Sequence, residues 1–264
     1  MKKKIIYQHS VISYHVSGNG KPVLLVHGFG EDHTVWRHQV AALQAEVQLI
    51  VPDLPGTGGS DLIGDMTMEG MAEVLHAIIH EENLEPCIVI GHSMGGYITL
   101  ALVEKYWNHV AAFGLFHSTT YADSEEKIAN RRKSIAFVKE QGAFAFLKTS
   151  IPNLFSEETR RQQPELVAAQ ISSMTNFSAE ALVSYYEAMI RRPDRTALLL
   201  SASMPVLFII GENDTAVSPE DALKQSHIPG KSYIYWLSHT AHMGMLEEPE
   251  LANRYVKEFL NGSV

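Results

Sequence analysis

Residues 91–96 read GHSMGG and contain a serine in a setting that could make it a nucleophile. The pattern Gly-x-Ser-x-Gly follows an apolar run at residues 87–90 and precedes a stretch of helical periodicity. A sharp strand-to-helix turn forces its central residue into strained dihedral angles, and small neighbours let the chain pass itself. Gly91 and Gly95 supply that room, so Ser93 is predicted to project its hydroxyl above a sheet, with a helix N-terminus behind it. The alternative is a plain glycine-rich turn with a capping serine.

A serine hydroxyl becomes a nucleophile at neutral pH when a base accepts its proton, and a carboxylate has to orient that base. Two histidines, His239 and His242, lie past the last predicted strand. Asp214 and Glu212 directly follow the strand before it, and Asp123 follows the strand before that. Taken by themselves, these residues leave two candidate bases and three candidate acids.

Two further motifs precede the serine. Residues 27–30 read HGFG after one apolar run, and residues 53–60 read DLPGTGGS after the next. With the serine turn and the late acid and histidine, they make the sequence similar to the alpha/beta-hydrolase family over essentially its whole length. The resemblance implies a nucleophile–acid–base order of Ser93, Asp214 and His242, because Asp214 ends a Gly-x-x-Asp turn and His242 lies a few residues before a Glu-x-Pro sequence.

Acyl transfer also needs preorganised N–H donors for the oxyanion of the tetrahedral intermediate. The backbone N–H of Met94, directly after the nucleophile, is predicted as one donor. The resemblance implies that Phe29, in the loop after the first parallel strand, supplies the other. His27 is expected to fix this loop by hydrogen bonding rather than to act as a second base.

Four residues close to these motifs are expected to line the substrate pocket: His27, Gly28, Trp36 and Met243. A position in the hydrophobic core is the alternative for Trp36. The DLPGTGGS segment with Asp53 is interpreted as a structural turn, because it lacks the lysine and the glycine spacing of a phosphate-binding loop.

The elements that must position these residues follow from apolar runs rich in β-branched residues, which are typical of parallel strands buried on both faces. Residues 4–8 and 11–16 are predicted to form an antiparallel hairpin at the leading edge. Further strands are predicted at residues 23–26, 48–51, 87–90, 110–116, 205–210 and 232–237. Helical stretches such as residues 68–80 and 94–106 separate the strands. The alternation predicts an α/β fold with a mostly parallel central sheet flanked by helices.

Strand patterns are absent between residues 119 and 198, after the sixth strand. Helices are predicted there at residues 121–141, 142–149, 156–175 and 178–192, with N-caps at Asp123, Ser156 and Ser178. A helical insertion in such a sheet is most simply a lid over the carboxyl ends of the strands, where ligands bind. We therefore expect a hydrolase core from residues 1–118 and 199–264, with residues 119–198 as a helical cap.

Charge is distributed unevenly between these parts. The predicted cap carries eleven basic and ten acidic residues, a net charge of +1, so the rest of the chain carries −10. This balance does not indicate an entrance that attracts anions. The basic residues 131–133 and 191–192 are expected on solvated helix faces, with attraction of an acidic substrate as the alternative.

Composition excludes several classes of protein. With 264 residues, 45% hydrophobic and 19% charged, the chain is neither disordered nor fibrous. Its net charge of −9 argues against nucleic acid or an anionic membrane as the main partner. The single cysteine, Cys87, excludes an internal disulfide. No apolar run approaches the roughly 18 residues of a membrane span, and the apolar stretch after the N-terminal lysines is shorter than the 7–15 residues of a signal peptide. A cytoplasmic location is expected.

The sequence thus predicts a serine hydrolase that acts on a small or medium acyl substrate, most simply a carboxylic ester, with no metal or organic cofactor. Its partner is a small-molecule substrate, and the chain is expected to be a monomer or a homodimer. Ser93 argues against the family branches that attack halides or epoxides with an aspartate. Carbon–carbon bond hydrolysis, perhydrolysis, acyl transfer, and a ligand-binding sensor with slow or no turnover are the alternatives.

Overall fold

A computed structural model describes residues 1–84 and 86–263, and in these residues an eight-stranded sheet lies at the centre of the fold. The strands are β1 (Lys2–Tyr7), β2 (Ser10–Ser17), β3 (Pro22–Val26), β4 (Gln48–Pro52), β5 (Cys87–His92), β6 (Val110–Phe116), β7 (Val206–Gly211) and β8 (Ser232–Leu237). Their spatial order is β1-β2-β4-β3-β5-β6-β7-β8. The β1–β2 and β2–β4 pairs are antiparallel and the others are parallel. The predicted fold class, hairpin and strands are confirmed, with strand ends within two residues.

Helices flank this sheet. They are α1 (Arg37–Leu43), α2 (Met68–Glu81), α3 (Met94–Tyr106), α4 (Glu125–Gln141), α5 (Ala143–Ser150), α6 (Glu157–Gln162), α7 (Pro164–Ser173), α8 (Ala179–Arg191), α9 (Thr196–Ser201), α10 (Pro219–Ser226), α11 (Gly244–Glu247) and α12 (Pro249–Gly262). Short 3₁₀ turns lie at His33–Trp36, Trp107–His109 and Ile151–Leu154. In the described residues, no helix is long and apolar enough to cross a membrane.

The central strands read as apolar runs because both faces of the sheet are covered. Leu24, Leu25 and Val26 in β3, and Val89 and Ile90 in β5, have no exposed surface. The parallel strands β3, β5, β7 and β8 all end at the same edge of the sheet. The loops that follow these four strands therefore meet there, although they are far apart in the sequence.

The segment between β6 and β7 is helical, and it differs from the prediction at three points. The first helix begins at Glu125 rather than at residue 121, because Ser124 is its N-cap and accepts a hydrogen bond from the Lys127 N–H. Asp123, the predicted N-cap, contacts arginine side chains instead. The predicted N-caps Ser156 and Ser178 are confirmed.

The predicted helix over residues 156–175 is also wrong as a single element. It is two helices, α6 and α7, which are separated at Gln163 because Pro164 has no N–H with which to continue α6. The short helix α9 was not predicted. The division into a core of residues 1–118 and 199–264 and a cap of residues 119–198 stays a prediction.

Candidate active site

The serine turn has the strained backbone expected from its sequence. Ser93 lies between β5 and α3 with φ 51° and ψ −117°. A Cβ atom on Gly91 would lie 2.3 Å from the backbone of Gly95, and one on Gly95 would lie 2.3 Å from the Val26 carbonyl oxygen. Only glycine fits at either position. The Ser93 N–H also donates to the Phe116 carbonyl at 3.0 Å, so the neighbouring strand helps to hold the turn.

The acid and the base come from the ends of the last two strands. His242 Nδ1 lies 2.8 Å from Asp214 Oδ2, and both residues are buried. The other Asp214 oxygen accepts hydrogen bonds from the N–H groups of Ala216 and Val217, at 2.8 and 2.9 Å. These bonds fix the carboxylate. The backbone N–H of His242 donates to the Leu154 carbonyl at 2.9 Å. The segment between β6 and β7 therefore helps to position the loop that carries His242, which we call the base loop.

The competing candidates lie elsewhere. His239 is exposed and faces Glu158 at 3.5 Å, while Glu212 is exposed and accepts a hydrogen bond from the Trp236 indole. Asp123 contacts two arginines. Of the five acid and base candidates, only Asp214 and His242 contact each other in the described structure.

Electrostatics at this pair oppose the effect of burial. Desolvation by itself would lower the pKa of His242, but the negative charge of Asp214 and the hydrogen bond to it raise that pKa above its usual value of 6.5. Desolvation would raise the pKa of Asp214, but His242 and the backbone N–H donors lower it. Asp214 is therefore ionised at neutral pH and stabilises a positive charge on His242.

Ser93 and His242 line one cavity of about 290 Å³, at the small end of the range for small-molecule sites. The apolar and aromatic residues that line it come from the segment between β6 and β7 and from the rest of the chain: Phe29, Tyr97, Leu154, Tyr186, Met189 and Val217. Polar groups include Glu31 and four residues of α4. The cavity can therefore hold a small substrate against the Ser93 hydroxyl.

Of the expected oxyanion donors, Phe29 lines this cavity, and Met94 directly follows Ser93 in the chain. Met94 begins α3, so its N–H has no acceptor within the helix. The N–H of Gly28 donates to Glu31 Oε2 at 2.6 Å, which leaves Phe29 as the next donor in that loop. The assignment of Phe29 and Met94 to an oxyanion hole stays a prediction.

The four residues expected to line the pocket lie outside this cavity. Trp36 and Met243 are in the hydrophobic core, where Trp36 packs edge-to-face on Phe116. His27 is buried and fixes its loop as expected: Nδ1 contacts the Gly28 carbonyl, and Nε2 accepts a hydrogen bond from the Leu54 N–H. Gly28 itself packs against the Glu31 and His92 side chains. Each of the four residues therefore packs in the core or stabilises a loop near the cavity.

Glu31 is a site residue that sequence reasoning missed. Its buried carboxylate accepts a hydrogen bond from the Gly28 N–H and lies 3.0 Å from His92 Nδ1. The opposite nitrogen, His92 Nε2, lies 2.9 Å from the His242 carbonyl oxygen. One carboxylate and one imidazole thus connect the loop after β3, the serine turn and the base loop. The only sequence signal was an acidic residue three positions after His-Gly.

Charge balance makes this connection compatible with burial. Desolvation would raise the pKa of Glu31, but His92 and the Gly28 N–H lower it. The His242 carbonyl only accepts, so the hydrogen bond at His92 Nε2 is donated by the imidazole. His92 Nδ1 faces the Glu31 carboxylate, and this partner limits the cost of burying the charge of Glu31.

A cluster of possible metal ligands lies away from the cavity. In the described residues, ligand atoms of His15, His33 and Asp53 lie within 4.8 Å of one another. The imidazole rings of His15 and His33 stack 3.8 Å apart with 12° between their planes, so their in-plane lone pairs do not converge on one point. Asp53 accepts hydrogen bonds from His33 and from the Gly59 N–H. The cluster therefore supports the interpretation of residues 53–60 as a structural turn.

Comparison with known proteins places this geometry among hydrolases. A family model described as "Alpha/beta hydrolase family" matches residues 23–254. A thermophilic esterase from Thermogutta terrifontis, solved with malate bound, is 31% identical with a TM-score of 0.92, over 99% of this chain and 98% of that one. The 3-oxoadipate enol-lactonase 1 of Acinetobacter baylyi is 26% identical over 249 residues, 92% of this chain and 90% of that protein. An enol-lactonase from Burkholderia xenovorans, 20% identical over 98% of this chain and all of that one, has the same fold with a TM-score of 0.90.

Replacing Glu31→Gln should disturb all three connected loops. We expect the free energy of unfolding to fall by about 1–3 kcal/mol, because the buried His92 loses its charged partner. We also expect activity to fall about 10-fold or more, since a small displacement of the catalytic loops is costly. Chemical denaturation and ester hydrolysis measure the two effects. The control is Glu126→Gln on the exposed surface of α4, and equal behaviour of the two variants would contradict a role for Glu31.

Proposed function

The chain belongs to the alpha/beta hydrolase family, and on this premise we propose that it is a serine hydrolase that cleaves small carboxylic esters through an acyl-enzyme on Ser93. The observation that carries the proposal is the buried 2.8 Å contact between Asp214 and His242, with His242 and Ser93 lining the same cavity. The serine turn, the acid and the base follow three strands that end at the same edge of the sheet, and nucleophilic catalysis needs these three groups close together.

In the first half of the reaction, Ser93 Oγ attacks the acyl carbon while His242 Nε2 accepts the hydroxyl proton. Asp214 holds the imidazole through Nδ1 and stabilises its positive charge. The N–H groups of Met94 and Phe29 stabilise the oxyanion, each contributing about 3 kcal/mol to the lowering of the barrier. His242 then gives the proton to the departing alcohol oxygen, and the acyl group remains on Ser93.

In the second half, water enters the cavity and loses a proton to His242 as its oxygen attacks the acyl carbon. The intermediate collapses with the proton returning from His242 to Ser93 Oγ, which releases the carboxylic acid. Every proton is held by a named group of this chain or by the water that is consumed, so the cycle needs no cofactor. A cytoplasmic location and a monomeric or homodimeric state stay predictions.

Single and double variants test the triad as a unit. We expect Ser93→Ala and His242→Ala each to lower kcat on the order of 10⁶-fold, and the double variant to lose no more than either single one, because the two side chains act in the same step. Steady-state hydrolysis of p-nitrophenyl esters of increasing chain length provides the measurement. His239→Ala, at an exposed histidine three residues earlier, serves as the matched control and should retain activity.

The same experiment separates an enzyme from a sensor. A fluorophosphonate should label Ser93 covalently, and Ser93→Ala should remove the label. Absence of turnover at every chain length, together with absence of labelling, would refute the proposed activity. Losses that add in the double variant would mean that His242 is not the base for Ser93.

The pH dependence follows from the environment of His242. The base works only when unprotonated, so kcat/KM should fall as the pH decreases through the pKa of His242. Because Asp214 raises that pKa, we expect the midpoint of this acid limb above pH 6.5. Asp214→Asn removes the negative charge, so the pKa of His242 should fall and the midpoint of the acid limb of the residual activity should move to lower pH. A pH–rate profile of wild type and of the Asp214→Asn variant measures both midpoints. A rate that does not vary down to about pH 4 would exclude a histidine base.

A further inference from the structure

Four polar residues of α4 line the cavity that contains Ser93 and His242: Lys127, Asn130, Arg131 and Ser134. Their spacing of three and four residues places them on one face of the helix. The remaining wall is largely apolar, from residues such as Leu154 and Met189. A site built for an apolar acyl chain would not need a polar helix face beside its nucleophile. This face therefore indicates a polar group on the substrate.

Arg131 brings a positive charge that its surroundings do not cancel. Its side chain is only 19% exposed, and it pairs with Asp123, whose carboxylate is fully buried. Arg192 pairs with the same carboxylate at 2.9 Å. Two guanidinium groups share one carboxylate, so the cluster keeps a net charge of +1. The expectation that both arginines lie on solvated helix faces is therefore wrong.

The guanidinium group of Arg131 has one nitrogen, Nη1, that is available to donate to a ligand. Its Nε and Nη2 atoms donate to Asp123, and within the described chain no acceptor is recorded for Nη1. Arg192 is committed to the scaffold: two of its nitrogens donate to the carbonyls of Met189 and Tyr121, and its guanidinium lies 3.9 Å from the Tyr97 ring centroid. Arg131 is thus held rigidly by Asp123 while it borders the cavity.

Lys127 adds a second positive charge one turn earlier on α4. Its Nζ donates to the Ala216 carbonyl at 3.2 Å, in the loop that follows Asp214, and it forms no ion pair in the described residues. Lys127 also borders a neighbouring groove with Asp123, Asp194 and Asp221. Asp123 pairs with the two arginines, Asp194 accepts from the Thr196 N–H and Asp221 faces Lys224, and in the described residues none of the three forms an ion pair with Lys127.

The carboxylates of Glu31 and Asp214 lie against His92 and His242 rather than against Lys127 or Arg131. The positive charge that borders the cavity is therefore carried by α4. Covering Lys127 and Arg131 with a neutral apolar group would remove water from two cations and return no hydrogen bond, which is unfavourable. An anionic group in the same place would accept charge-assisted hydrogen bonds from both.

We propose that the substrate is an ester or lactone that also carries a carboxylate, a few bonds from the scissile carbonyl, and that Lys127 and Arg131 bind this carboxylate. The inference rests on the proposed ester hydrolysis at Ser93 and names the class of ester. We infer a short aliphatic spacer because α4 and Ser93 line the same cavity, which measures only about 290 Å³. The net charge of residues 119–198 is close to zero and did not indicate this site. The net charge of a segment does not show which of its charges are paired.

Two esters of matched shape test the proposal. Monoethyl glutarate carries the carboxylate, and ethyl 5-methylhexanoate replaces it with an isopropyl group. Ethanol release at pH 8 gives kcat/KM for both, and we expect wild type to prefer the hemiester at least 10-fold. Lys127→Met should reduce this preference about 10-fold, the effect of one charge-assisted hydrogen bond. Lys133→Met, the same substitution at an exposed position of α4, should leave the preference unchanged.

Binding of the free dianion supplies a readout that does not depend on turnover. Glutarate should inhibit hydrolysis of the neutral ester competitively, and Lys127→Met should raise its inhibition constant about 10-fold while Lys133→Met does not. A wild-type enzyme that hydrolyses the neutral ester as well as the hemiester would overturn the carboxylate proposal and leave the serine hydrolase intact. A preference that survives in Lys127→Met would overturn the assignment to this face of α4. No turnover of either ester, with no fluorophosphonate label on Ser93, would instead refute the proposed function.

Discussion

The active site depends on a steric constraint at Ser93. This residue has a positive φ, which a side-chain-bearing residue adopts only when its surroundings hold it there. Gly91 packs on Gly95, and Gly95 packs on the Val26 carbonyl, so β3, β5 and the start of α3 are in contact at the turn. Any side chain at either glycine would separate these elements. The position of Ser93, the predicted nucleophile, is therefore a property of the close packing of the sheet and α3.

The same edge of the sheet holds two buried carboxylates, and each of them has a histidine and backbone N–H donors as partners. Asp214 has His242 and two backbone N–H groups, while Glu31 has His92 and the Gly28 N–H. Buried networks of this kind are stable only when every member is satisfied. In the second network His92 also contacts the His242 carbonyl, and so joins the loop that carries His242 to the serine turn. This contact supports the relative position of Ser93 and His242.

Predictions from sequence succeeded where a physical rule acts over a few residues and failed where distant residues decide. The strands and the serine turn follow from local patterns of β-branched residues and glycine. The predicted helix over residues 156–175 was wrong because Pro164, which has no N–H, ends one helix and begins another. The pocket residues failed for another reason: Trp36 and Met243 are near the motifs in sequence, but packing places them in the core. Tyr186 and Leu154, from the helical segment, line the cavity in their place.

The sequence by itself determined the framework of alternating strands and helices, and it predicted the candidate site: a serine in a glycine-flanked turn, with an acid and a histidine in the order of the family. These features depend on a few neighbouring residues or on the order of motifs along the chain, so the sequence is enough to identify them. Only the tertiary structure decided which charges are paired. Asp123 is shared by Arg131 and Arg192, and Glu31 contacts His92, across 8, 69 and 61 positions of the chain. Such pairings arise when distant segments are packed together and water is removed, and a one-dimensional pattern contains no record of that contact.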